Sequence, residues 1–123
     1  MEGAIKRGRP ELKIEKENVY KTKQNPNGMF IARVNQIPRE EMLDFALVIP
    51  NRKNKQIMYN EVLVTTDNDY YSFRLARGNM KWVSLNTAAV WDWLGHKLVE
   101  VSALTGKENE RISDEHCSAY REK

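Results

Sequence analysis

The chain has 123 residues, 30% of them charged and 41% hydrophobic, with a formal net charge of +3 and one cysteine. That length builds one modest core and is too short for two. A lone cysteine excludes an intramolecular disulfide, no apolar run approaches the roughly 20 residues needed to cross a bilayer, and no apolar leader is visible. A reducing intracellular compartment, cytoplasmic or nucleoid/nuclear, is therefore expected, with no membrane partner. The charge is uneven: residues 1–60 hold 12 Lys/Arg against 7 Asp/Glu, a net of +5, and residues 61–123 hold 8 against 10, a net of −2. An N-terminal cationic excess suits a polyanionic partner.

The densest signal stands near the start, at Lys6-Arg7-Gly8-Arg9-Pro10. Two guanidinium groups flanking a glycine fit the floor of a narrow A·T-rich minor groove, where Gly8 lets the backbone approach and the negative potential attracts the arginines. Arg7, Gly8, Arg9 and Pro10 resemble the core of the AT-hook, a short minor-groove-binding motif. The resemblance implies DNA contacts from Arg7 and Arg9, with Lys6 and Lys13 adding salt-sensitive affinity. It covers one copy, and Glu11 stands where the family usually continues with basic residues, so the affinity implied is weak and strongly salt-dependent. Residues 1–24 read as a basic arm or, more blandly, as a solvated terminus.

Further along, Asn25-Pro26-Asn27-Gly28 is a turn signal that launches a strand near 29–34, with Phe30, Ala32 and Val34 inward and Arg33 outward. Pro38-Arg39-Glu40-Glu41 has the proline and early carboxylates of a helix start, which predicts a helix over 38–47. A polar loop follows, in which Arg52, Lys53 and Lys55 could track phosphates. Ile57–Thr66, Tyr70–Arg77 and Met80–Leu85 read as a three-stranded meander with turns at Asp67-Asn68-Asp69 and Gly78-Asn79. Alternation in the second of these strands sends Tyr71, Phe73 and Leu75 to the core and Tyr70 and Arg74 to the other face. Asn86 is placed as an N-cap for a helix over 87–104, with Val90, Trp91, Leu94, Leu98, Val101 and Leu104 as its core stripe. A competing reading ends that helix at Gly95 and makes 97–104 a strand.

The expected fold is therefore α+β: a small antiparallel sheet, made of the 57–85 meander and the 29–34 strand, packed against one or two helices. Residues 25–106 form the domain, and 107–123 a polar tail or surface helix.

Three surfaces invite a partner. On a helix, Trp91 and Trp93 diverge by about 200°, so Trp93 falls outside the buried stripe and becomes a candidate protein-interface residue. Arg33, Tyr70 and Arg74, extended by Arg77 and Lys81, combine cations with an aromatic ring, a mixture that holds a nucleic-acid backbone and stacks a base. The 52–55 loop adds further cations. Catalytic signals are poor: His96, His116 and Cys117 lack zinc-site spacing, and neither a phosphate loop nor a serine elbow is present, so no cofactor is expected. The composite reading is a small non-enzymatic nucleic-acid-binding accessory protein, with DNA ahead of RNA as partner. The alternative is a protein-binding inhibitor or adaptor of viral or mobile-element type acting through a surface aromatic patch. A metal-independent ribonuclease using Arg74, Arg77, Lys81 and Tyr70 or Tyr71 ranks third.

Overall fold

The computed structural model describes residues 13–112, and they form a mostly-β structure of two antiparallel four-stranded sheets. The first sheet is an up-and-down series: β1 (Asn18–Gln24), β2 (Ile31–Arg39), β3 (Met42–Pro50) and β4 (Ile57–Asp67). A helical link follows, α1 (Tyr70–Phe73) continuing into a 3₁₀ turn at Arg74–Ala76. The second sheet repeats the up-and-down pattern with β5 (Met80–Trp82), β6 (Thr87–Trp91), β7 (Lys97–Ser102) and β8 (Glu108–Arg111).

The α+β expectation is overturned, and each error has a local cause. The predicted 38–47 helix is instead the end of β2, a two-residue hairpin turn at Glu40-Glu41, and β3, in register Arg39↔Met42 and Pro38↔Leu43. Pro38 is tolerated because β1 pairs with β2 only as far as Gln36, so the edge its missing N–H would have faced is open. Glu40 turns the chain at φ 53°, a conformation costly for a side chain with a Cβ. Leu43, Phe45, Leu47 and Ile49 alternate inward along β3, while Asp44 on the opposite face takes a bidentate clamp from Arg39 and a hydrogen bond from Thr65. The run looked helical because Pro38 and the carboxylates of Glu40 and Glu41 imitate a helix start, whereas here the two glutamates form the turn between β2 and β3.

The predicted 87–104 helix is likewise β6, a turn and β7, with Val90 facing Val99 and Ala88 facing Val101. The competing strand reading of 97–104 matches β7 over Lys97–Ser102. The meander keeps its first strand as β4 and a shortened third as β5, but the expected second strand is helical over Tyr70–Phe73 and Arg74–Ala76. Asp69 caps α1 by accepting from the Ser72 amide at 2.9 Å. A side chain read as a strand-ending turn is thus an N-cap. Residues 18–24, assigned to the arm, are β1, and part of the supposed tail is β8.

Both sheets turn their apolar faces to one core, where Phe30, Phe45, Leu47 and Ile49 meet Phe73, Met80, Leu98 and Val101. At one edge Trp82 on β5 reaches β1, donating its indole N–H to the Lys23 carbonyl at 2.9 Å and stacking on Phe30. At the other, Tyr59 on β4 donates to Glu108 on β8 at 2.6 Å, and Arg111 reaches back to the Val62 carbonyl. Gly106, at φ 72°, lets the β7–β8 turn lie against the Met58 carbonyl, where a Cβ would approach to 2.2 Å. Among the described residues no helix is long and apolar enough to cross a membrane.

Candidate functional site

Where α1 and the 3₁₀ turn pass from the first sheet to the second, the Arg77-Gly78-Asn79 backbone lies directly on the Trp91–Trp93 segment. A Cβ on Gly78 would come within 2.2 Å of the carbonyl oxygens of Trp91 and Asp92, so only glycine permits this approach. Two hydrogen bonds zip the segments together: the Trp91 amide donates to the Asn79 carbonyl at 2.8 Å, and the Trp93 amide to the Leu75 carbonyl at 3.1 Å. Beyond them the turn is held by Asp92, whose buried carboxylate accepts from the His96 amide at 2.8 Å and meets His96 Nδ1 at 3.2 Å. This arrangement projects Trp93 into solvent with 65% of its surface exposed.

Two adjoining hollows flank the junction. A smaller one of about 220 Å³ is lined by Tyr20, Tyr70, Arg74, Arg77 and Trp93. Its neighbour, about 680 Å³, shares Tyr20, Arg77 and Trp93 and adds Lys21, Lys81 and Trp91. Together they make one cleft along the β1–β5 edge, with four aromatic rings and four cations. The acidic side chain lining it is Asp92, whose carboxylate is turned into the supporting turn.

The four cations do different work. Arg77 is fixed: its guanidinium lies 5.1 Å from the Tyr20 ring centroid and 4.6 Å from that of Phe73. Its Nε donates to Gln36 Oε1 at 2.9 Å, and Gln36 in turn donates to Asn18 at 2.9 Å. It therefore stiffens Tyr20 as part of the cleft floor. Lys21 lies 5.4 Å from the Tyr20 ring. Arg74 and Lys81 are exposed at the rim. The one cleft ring supplied by the helical link is also braced, since Tyr70 packs edge-on against Tyr71 and Phe73. Lys97 stands 6.0 Å from the Trp91 ring and is bound to Glu100 and Glu110, whose carboxylates hold its ammonium above the ordinary lysine value.

The candidate residues from the sequence divide accordingly. Tyr70, Arg74 and Trp93, with Arg77 and Lys81, are brought together in the cleft. Arg33 is not: it alternates with buried Ala32 and Val34 and so faces the outer side of the first sheet. Arg52, Lys53 and Lys55 lie beyond the start of β4, whereas Tyr70 follows its end, a separation of roughly 30 Å along the strand. Arg52 there bonds the Gly28 carbonyl. Lys13 is paired with Glu41 at 2.9 Å, and that hydrogen bond raises its ammonium above the usual value. Lys6, Arg7, Gly8 and Arg9 lie outside the described residues, as do His116 and Cys117. Among the described residues no three His, Cys, Asp or Glu side chains cluster so as to hold a metal ion.

Sequence reasoning missed Tyr20 and Lys21, which it placed in the arm, and treated Trp91 as core. No family model, curated protein or solved structure matches this chain. The Val19-Tyr20-Lys21-Thr22 alternation of β-formers with a lysine was the available signal for a strand carrying two of the cleft residues.

Proposed function

We propose that this protein binds nucleic acid non-enzymatically, DNA foremost, by holding an unpaired strand in the β1–β5 cleft. The observation that carries the reading is the convergence of Tyr20, Tyr70 and Trp93 with Arg74 and Arg77 on one hollow. Exposed aromatic faces accept unpaired bases whatever their sequence, at about 1–3 kcal/mol per stacked base, while rim cations follow the backbone. Trp93 and Tyr70 supply the faces, Arg74 and Lys81 the phosphate contacts, and Arg77 with Tyr20 a preformed floor.

Binding of a fluorescent single strand, measured by anisotropy across a salt series, tests this. The Trp93→Ala variant should weaken binding by about tenfold or more, and the affinity of the parent should fall steeply with salt. An unchanged affinity on loss of the indole would reject the cleft as the binding surface.

A second reading uses the same place differently. Trp93 is followed by exposed Leu94 and shares its hollow with Tyr70, whose ring packs on that of exposed Tyr71, and a patch of this composition also suits a protein partner for an inhibitor or adaptor. Such a complex would tolerate salt and would be lost with Trp93 in a pull-down, while single-strand binding would be absent.

A further inference from the structure

The guanidinium of Arg77 is held on several sides and still has donors to give. The Tyr20 and Phe73 rings pack on it, with centroids 5.1 Å and 4.6 Å from its central carbon. Its Nε donates to Gln36 Oε1 at 2.9 Å, and buried Gln36 is itself fixed by donating to Asn18. Its terminal nitrogens, Nη1 and Nη2, have no hydrogen-bond partner among the described residues. Arg77 is half-buried and lines both hollows of the cleft. With Nε engaged, the pair of terminal amino groups is what it offers there, already ordered before a ligand arrives.

A fixed guanidinium end suits a ligand edge that carries two adjacent acceptors. The surroundings have the same polarity. Asn79, on the wall of the larger hollow, accepts the Met80 amide through Oδ1 at 2.9 Å, which leaves the donor Nδ2 as its outward end. The cations also sort by depth. Arg74 and Lys81 are exposed at the rim, where phosphates pass, whereas Arg77 lies lower, beside Tyr20 and among the rings that accept a base, so it meets a base edge. Guanine joins two adjacent acceptors, O6 and N7, to a two-ring face, and arginine on that edge is the commonest specific contact in DNA recognition. Adenine sets an amino donor beside N7, and thymine a methyl group beside O4. Cytosine has O2 and N3 side by side, but its single ring leaves less face for Trp93 and Tyr70 to cover.

We infer that Arg77 is a specificity-determining residue and that the cleft selects guanine in an unpaired strand, with O6 and N7 on the terminal nitrogens of Arg77 and the base face stacked on Trp93 or Tyr70. This rests on the single-strand reading proposed above and adds the base that the cleft prefers. A matched bidentate contact of this kind discriminates against a wrong base by about tenfold or more.

The test uses the full chain and fluorescent strands of about 10 thymidines, whose central bases are kept or replaced by guanine, adenine, cytosine, hypoxanthine or 7-deazaguanine. In anisotropy titrations at one salt concentration the guanine strand should bind about tenfold more tightly than the thymidine strand. Hypoxanthine keeps O6 and N7 and should match guanine. The 7-deaza base stacks over the same area but lacks N7, and it should lose most of the gain. Arg77→Lys keeps a charge without the fork and should bring the guanine and thymidine strands to equal affinity. Equal binding of all strands by the parent, a full gain with 7-deazaguanine, or the same gain with cytosine would overturn the guanine inference while the cleft reading stands. Displacement of the strand by an equal concentration of free deoxyguanosine monophosphate would make the ligand a nucleotide and overturn it too. If the parent binds none of the strands, the cleft reading itself falls, and the inference with it.

Discussion

Tyr59, Glu108 and Arg111 show how much one hydrogen-bonded triad contributes at the β4–β8 edge. Burial alone would push the Glu108 carboxyl up, but the hydrogen bonds from Tyr59 and Arg111 and the guanidinium charge outweigh it and leave that carboxyl below its ordinary value of 4.5. Burial and the same carboxylate push the Tyr59 phenol up, so it remains a donor. A depressed carboxyl stabilises the fold fully above its unfolded value and loses that contribution as pH falls through the folded one. Tyr59→Phe keeps the buried ring and removes the donor. It should cost about 1 kcal/mol near neutral pH and less at an acid pH low enough to protonate Glu108, below its ordinary carboxyl value. Urea midpoints at the two pH values check this, and an equal loss at both would show that the phenol hydroxyl does not act through the carboxylate. Tyr70 and Arg74 teach a different lesson. They were placed on one side from a strand reading that the structure corrects, yet they do share a side, because positions four apart face the same way on a helix turn as well as on a strand. Trp93 is exposed, but because a turn projects it rather than because a helix rotates it away from Trp91.

At the scale of elements, legibility followed punctuation more than periodicity. The turn at Asn25–Gly28, the end of β4 at Asp67 and the start of β5 at Met80 were readable, since turn residues act through their own side chains and backbone. β3 and β6 were not, and β7 was readable only as the competing alternative, because strands buried on both faces lose the alternation that would identify them. Gly78 shows why a correct residue can carry a wrong inference. It reads as a hairpin turn, but its role is the backbone contact with Trp91 and Asp92, a long-range relation that local sequence does not encode. Gly78→Ala should therefore push the helical link away from the β6–β7 turn, costing about 1–3 kcal/mol. It should also loosen the cleft, so single-strand affinity should fall in a variant that remains folded at low temperature. Thermal melts and anisotropy measured together test the point. A Gly78→Ala protein with parental stability would mean that the two segments are not in fixed contact.

At the scale of the molecule, the question is whether two sequence-local sheets behave as one folding unit. Each sheet is an unbroken up-and-down series, so each half of the chain pairs mostly with itself, and either sheet alone would expose a whole apolar face. Joining them buries Phe45, Leu47 and Ile49 against Phe73, Met80 and Leu98, and each such side chain contributes about 1.5–3 kcal/mol when fully buried. That sum is as large as the net stability a small domain retains, so neither half is expected to hold its structure once the other opens. The cleft lies along one line of closure, and its shape depends on both sheets staying joined there. Trp82→Phe isolates that edge, since a phenyl ring can still stack on Phe30 but cannot donate to the Lys23 carbonyl. The loss should be about 0.5–1.5 kcal/mol, which for a domain of this size lowers Tm by several degrees while leaving a single transition. Far-UV circular dichroism and tryptophan fluorescence should then trace the same curve in parent and variant. Separate midpoints for the two signals would mean that the sheets unfold independently, and a binding surface shared between them would then be lost well below the temperature at which the more stable sheet melts.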